Sequence, residues 1–123
     1  VRSVSFVRKI VGILGVPLIR RKKMTNKQYA KFVKEYFFGD AKHNIPEEDI
    51  THAVLGLVGE AGEVVEVYKK GRYYKNKQLD ELSLATELGD VLFYVTAIAN
   101  ETGYSLEDLM TINTNKLRKR YGK

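Results

Sequence analysis

Four acidic residues, in two matched pairs, are the part of this sequence best suited to chemistry. Glu60-x-x-Glu63 and Glu87-x-x-Asp90 each set two carboxylates three residues apart. In a helix, positions i and i+3 project to the same side, so each pair makes a two-carboxylate claw. Nearby Glu66 has Lys69 and Lys70 three and four residues on, which are ordinary helix partners. None of the four claw acids has a basic residue at i±3 or i±4. Like charges at that spacing repel by about 0.2–0.5 kcal/mol per pair, and crowded carboxylates raise one another's pKa. A divalent cation removes the repulsion. Oxygen-only donors select Mg²⁺, with Mn²⁺ as the alternative, over zinc or copper. A solvated helix face would explain one such pair, but explains two matched pairs poorly.

The elements that must position these claws read as four helices. Thr25 with Gln28 is a capping-box signature, and Tyr29, Phe32, Val33 and Phe37 follow at helical spacing up to Phe38-Gly39. Pro46, followed by Glu47, Glu48 and Asp49, opens a second helix that is expected to reach about Lys70 and stop at Gly71. A third is expected from about Gln78 to Thr102, ended by Gly103. Ser105 with Asp108 is a second capping box and starts a fourth helix to about Tyr121. No strand-like alternation appears. Short connections between the last three helices imply antiparallel neighbours, hence an all-α, antiparallel four-helix bundle. The first claw lies about ten residues before the second turn and the other about ten after it. At about 1.5 Å per residue, both stand roughly 15 Å from that turn and face each other.

Helical spacing also places Glu60 and Glu63 at the border of an apolar face made by Leu57, Ala61, Val64 and Tyr68. Gly56, Gly59, Gly62 and Gly89 sit beside the claws, each costing about 1 kcal/mol against alanine in a helix interior. They point either to close helix approach or to room for a ligand. In the last helix, Asn113, Lys116 and Arg120 share one face and could hold phosphate oxygens. The alternative is a basic helix end that complements the dipole.

Composition narrows the field. The chain has 123 residues, 44% of them hydrophobic, enough for one domain with its own core. Without cysteine there is no disulfide framework, thiolate zinc site or cysteine nucleophile, and a reducing, cytoplasmic setting is expected. Two distant histidines, His43 and His52, do not make an imidazole metal site, and no Glu-x-x-His motif suggests a di-iron centre. The net charge of +6 misleads: residues 1–23 carry seven basic and no acidic side chains, whereas the rest holds fourteen basic and fifteen acidic. The basicity therefore belongs to a leader. It is expected to be a disordered extension, or upstream sequence ahead of a start at Met24, with residues 24–123 as the folded domain. Its apolar stretch, Ile10 to Ile19, is too short to span a bilayer. Neither nucleic acid nor stable membrane insertion is expected.

Taken together, these residues resemble the MazG-like family of all-α nucleoside triphosphate pyrophosphohydrolases, which includes relatives acting on dCTP and dUTP. The likeness covers most of residues 25–121 and is strongest over 58–70, 87–94 and 113–121. It implies hydrolysis of a (deoxy)nucleoside triphosphate at the α-phosphorus, giving the monophosphate and pyrophosphate. It implies Mg²⁺ on Glu60, Glu63, Glu87 and Asp90, with Glu63 or Glu60 orienting or deprotonating the water. Lys116 and Arg120, with Asn113 and Lys70, would take the outer phosphates. Tyr94, one turn after Asp90, would contact the nucleotide, unless it is simply a half-buried bundle aromatic. The resemblance also implies homodimers or homotetramers that complete the bundle between subunits. The tryptophans that some members use for base stacking are absent. A non-catalytic helical interaction module with a structural cation is the competing reading.

Overall fold

The computed structural model describes residues 23–38, 46–74 and 78–123. Within them the chain is all-α, with four helices and no strand: α1 (Asn26–Phe38), α2 (Pro46–Tyr73), α3 (Glu81–Thr102) and α4 (Leu106–Tyr121). The expected basic leader lies outside the described residues, Lys23 excepted.

The helix ends follow from local chemistry. Thr25 Oγ1 accepts from the Gln28 N–H at 3.2 Å while Gln28 Oε1 accepts from the Thr25 N–H at 2.8 Å, closing the first capping box. The second box closes the same way between Ser105 and Asp108, at 3.0 and 2.9 Å. Gly103 takes the left-handed conformation, φ 78°, that ends α3, and the following Tyr104 N–H reaches back to the Ala99 carbonyl at 2.9 Å.

Two boundaries differ from expectation. α2 does not stop at Gly71 but runs on to Tyr73. Gly71 is buried, and a β-carbon there would lie 2.8 Å from the Gln78 carbonyl oxygen and 2.9 Å from Leu79 Cα. It is needed for close approach of the returning chain, not as a helix stop. α3 begins at Glu81, because the Asp80 carboxylate accepts from the Ser83 N–H at 3.1 Å and caps the helix there.

α2 and α3 form the antiparallel hairpin at the centre of the fold, and α1 packs on α3. Val33, Ala53 and Ala97 are buried where the three meet, with Tyr29, Phe37, Phe93, Tyr94 and Ile98 packed around them. Phe37 sets its ring edge-on to Tyr94 (6.4 Å) and to His52 (5.6 Å), which ties α1 to both partners. Asn100 Nδ2 donates to the Ala30 carbonyl at 3.0 Å, a polar anchor between α3 and α1.

Small residues decide the phase of α2. Ala53, Gly56, Leu57, Glu60, Val64, Val67 and Gly71 form its inward stripe. The expected apolar face is therefore corrected: Leu57 and Val64 belong to it, but Ala61 and Tyr68 point outward, Tyr68 being 56% exposed. Gly56 lies beneath the Tyr94 ring, which occupies the place of any β-carbon, whereas Gly59 faces open space. Gly56→Ala is expected to destabilise the fold by about 1–3 kcal/mol through overpacking and so to lower the thermal midpoint. Gly59→Ala is expected to stabilise the fold by about 1 kcal/mol through helix propensity and so to raise the midpoint. Circular-dichroism melts of the two variants check both signs.

Among the described residues, the opposite side of the hairpin has no cover. Val54, Val58 and Val65 of α2 and Leu88 and Leu92 of α3 are 44–67% exposed. α3 is apolar enough by length and composition to cross a membrane, with a hydropathy of 1.4, yet it is the helix that touches all three others. Only a small share of this apolar helix is buried, mainly at Thr96, Ala97 and Ala99.

Candidate metal centre

Helix phase brings three of the four claw carboxylates together. One oxygen each from Glu60, Glu87 and Asp90 lies within 4.8 Å of the others, a spacing that could hold one cation. Glu60 comes from the inward stripe of α2; Glu87 and Asp90 lie one turn apart on α3. Glu60 and Glu87 are half-buried and Asp90 is exposed. No ion pair reaches any of the three among the described residues. The donor set is all carboxylate oxygen, which fits a hard divalent cation.

Glu63 stands apart from this triad and is exposed. It lines an adjoining cleft of about 290 Å³ together with Glu66, Lys70, Gln78, Asp80, Ser83 and Glu87. Lys70 opens onto the same cleft, while Glu66 is engaged by Lys69 at 2.8 Å. The contribution of Asp80 and Ser83 to this lining escaped the sequence reading, which had only Glu87 from this side. Its signal was present: Asp80, Ser83, Glu87 and Asp90 fall at i, i+3, i+7 and i+10, one continuous stripe on the helix.

Aromatic residues border the site. Tyr29 of α1 has its phenol pKa raised by burial and by the negative charge of Asp90, so α1 reaches the edge of the triad. Tyr94 follows Asp90 by one turn, but its ring is wedged over Gly56 and against Phe93 at 5.4 Å and Phe37 at 6.4 Å. Its visible role is packing.

The expected phosphate ligands of α4 have no ion-pair partner among the described residues. Asn113, Lys116 and Arg120 are exposed, and Arg120 lies over the Tyr121 ring at 5.5 Å. The charges acting on Glu60 are those of Asp90, Glu87 and Glu63, all negative.

That imbalance sets a pH dependence. Glu60 is held above the usual carboxylate range, first by loss of solvent and then by Asp90, Glu87 and Glu63. The native state therefore takes up this proton at higher pH than the unfolded chain does. Metal-free stability from Glu60 rises as pH falls through its folded pKa and levels off below its unfolded value. Glu66 works the other way. The Lys69 hydrogen bond and charge hold it low, so its contribution is present above its unfolded pKa and is lost as pH falls through the folded one. Glu60→Gln isolates the first effect. In chelator at pH 7 the variant is expected to melt above wild type, with the gap closing as pH falls. Melts across that range check this, and a gap independent of pH would contradict it.

Residues 49–123 match the MazG nucleotide pyrophosphohydrolase domain, which takes in α2 from its first turn, α3 and α4 but not α1. Gene 37 protein of Mycobacterium phage L5 is 38% identical over 76 residues, 59% of this chain and 67% of the phage protein. No solved structure matches. The matched segment spans both claws and more than half of the sequence, so the chain belongs to the MazG nucleotide pyrophosphohydrolase family.

Proposed function

We propose that this protein hydrolyses a (deoxy)nucleoside triphosphate between the α- and β-phosphates, yielding the nucleoside monophosphate and pyrophosphate. The observation that carries the reading is the carboxylate triad of Glu60, Glu87 and Asp90, convergent within 4.8 Å and without a basic partner among the described residues. Family membership supports the same class of reaction.

Glu60, Glu87 and Asp90 would hold Mg²⁺ or Mn²⁺, with Glu63 joining them or reaching the ion through water. When bound, the cation neutralises phosphate charge and polarises the phosphoryl oxygens. Glu63 is the carboxylate outside the triad, so it is the better placed of Glu60 and Glu63 to accept a proton from the attacking water. Lys70, at the mouth of the adjoining cleft, is placed to meet a departing phosphate oxygen. Tyr94 acts mainly by fixing α1 against α3, and any nucleotide contact comes from the ring edge left exposed. We place the activity in the cytoplasm, and in a homodimer or homotetramer that covers the open side of the α2–α3 hairpin.

A panel of (d)NTPs with Mg²⁺ or Mn²⁺ in H₂¹⁸O tests the reading. Label is expected in the monophosphate, with unlabelled pyrophosphate released. Release of orthophosphate and a diphosphate instead, or no turnover of any (d)NTP, would overturn it.

A further inference from the structure

α1 carries a cationic face that the carboxylate site does not use. Lys27, Lys31 and Lys34 are exposed and recur at i, i+4 and i+7, within about 60° of arc at about 100° per residue. Lys31 meets Glu35 at only 4.0 Å, with both side chains largely exposed. Lys27 and Lys34 have no ion pair among the described residues. Such a stripe does nothing for α1 itself, because like charges at this spacing repel. Large apolar side chains stand beside it. Phe32 stacks on Tyr36 at 4.3 Å, and Met24, Phe32 and Tyr36 are 37–66% exposed.

The chain enters on this same face. Lys23 and Met24 line a shallow groove with Gln28, Lys31, Phe32 and Glu35. Arg20, Arg21 and Lys22 directly precede Lys23, so covalent continuity keeps them within roughly 11 Å of it. Before them, residues 10–19 hold seven aliphatic side chains and no charge, and Arg8 and Lys9 come ahead of that block.

Cations, a short aliphatic block and exposed aromatic rings on one continuous stretch of chain fit one partner chemistry, the headgroup region of an acidic bilayer. Clusters of four to eight lysines and arginines beside an apolar segment are attracted by acidic lipid. Aromatic rings favour the same boundary. A nucleic acid would also meet the cations. It stacks its bases on aromatic rings, however, and offers the aliphatic block nothing to enter.

We infer that α1 and the leader dock reversibly on a membrane surface rich in acidic phospholipid, with Lys23, Lys27, Lys31 and Lys34 on the headgroups and residues 10–19 at the acyl boundary. The block is about half the length of a bilayer crossing, so the attachment is to the surface and not through it. This inference does not depend on the proposed hydrolase reading.

The full chain is sedimented with vesicles of phosphatidylcholine alone, or of phosphatidylcholine with phosphatidylglycerol. Wild type is expected to partition onto the acidic vesicles only, and to leave them as salt shortens the screening length. Lys27→Gln/Lys31→Gln/Lys34→Gln is expected to weaken partition by about a hundredfold, at about fivefold for each lysine near the surface, with its thermal melt unchanged. Ile13→Asp/Leu14→Asp is expected to weaken it by a factor that salt does not change. Wild type that stays in the supernatant overturns the inference. So does either variant binding as wild type does. Release from acidic vesicles by single-stranded DNA at equal phosphate concentration would assign the face to nucleic acid and overturn it as well.

Discussion

Replacing Glu87 by glutamine is expected to cut (d)NTP turnover by about three to four orders of magnitude while leaving the helical fold intact. The substitution keeps shape and removes one negative charge from the triad. Stabilisation of phosphoryl charge by a bound cation amounts to several kcal/mol, and each 1.36 kcal/mol is a decade in rate. Glu87 is singled out because it belongs to the triad and also lines the adjoining cleft, so its loss affects both. Glu60→Gln is expected to lose as much. It differs in one respect: removing the acid with the raised pKa makes the metal-free protein more stable, not less. Pyrophosphate release and metal-free melting measured on the same preparations check both parts. A Glu87→Gln enzyme within tenfold of wild type would remove the triad from the mechanism.

The second large effect is on the fold. Val33→Asp is expected to cost more than about 4 kcal/mol, enough to unfold much of the population at 37 °C. Val33 is fully buried at the meeting point of α1, α2 and α3. A carboxylate there sits in an apolar cluster shut from solvent, with no cation in that cluster among the described residues, so it pays desolvation in full. α1 also has few other anchors: Tyr29 and Phe37 on the same face, and the Asn100 hydrogen bond to the Ala30 carbonyl. Loss of the cooperative melt, seen by circular dichroism, is the expected readout. A midpoint within a few degrees of wild type would show that α1 contributes little.

How far the sequence could be read depends on what kind of information each feature needs. The two capping boxes and the Gly103 stop involve side chains and backbone within a few residues of each other, and Thr25, Ser105 and Gly103 act as their types imply. The convergence of Glu60 with Glu87 and Asp90 was legible for a similar reason: the helix period and one short turn fix their level. What escaped requires knowledge of the neighbour. Whether Glu60 or Glu63 turns inward depends on which stripe of α2 meets α3, and that is settled by Ala53, Gly56 and Gly71 allowing close approach. Gly71 looked like a helix end because the strand of chain packed on it, around Gln78 and Leu79, is not adjacent in helical spacing. The influence of Asp90 on Tyr29 joins elements more than 50 residues apart, beyond any local pattern.

The joint between α3 and α4 carries a further consequence. It is only three residues long, with Gly103 locked by backbone hydrogen bonds on one side and Ser105 tied to Asp108 on the other. The direction of α4 relative to α3 is therefore dictated by backbone geometry at the joint. The entropy of aligning the last helix with the hairpin is thus met by a few local hydrogen bonds as the single chain folds.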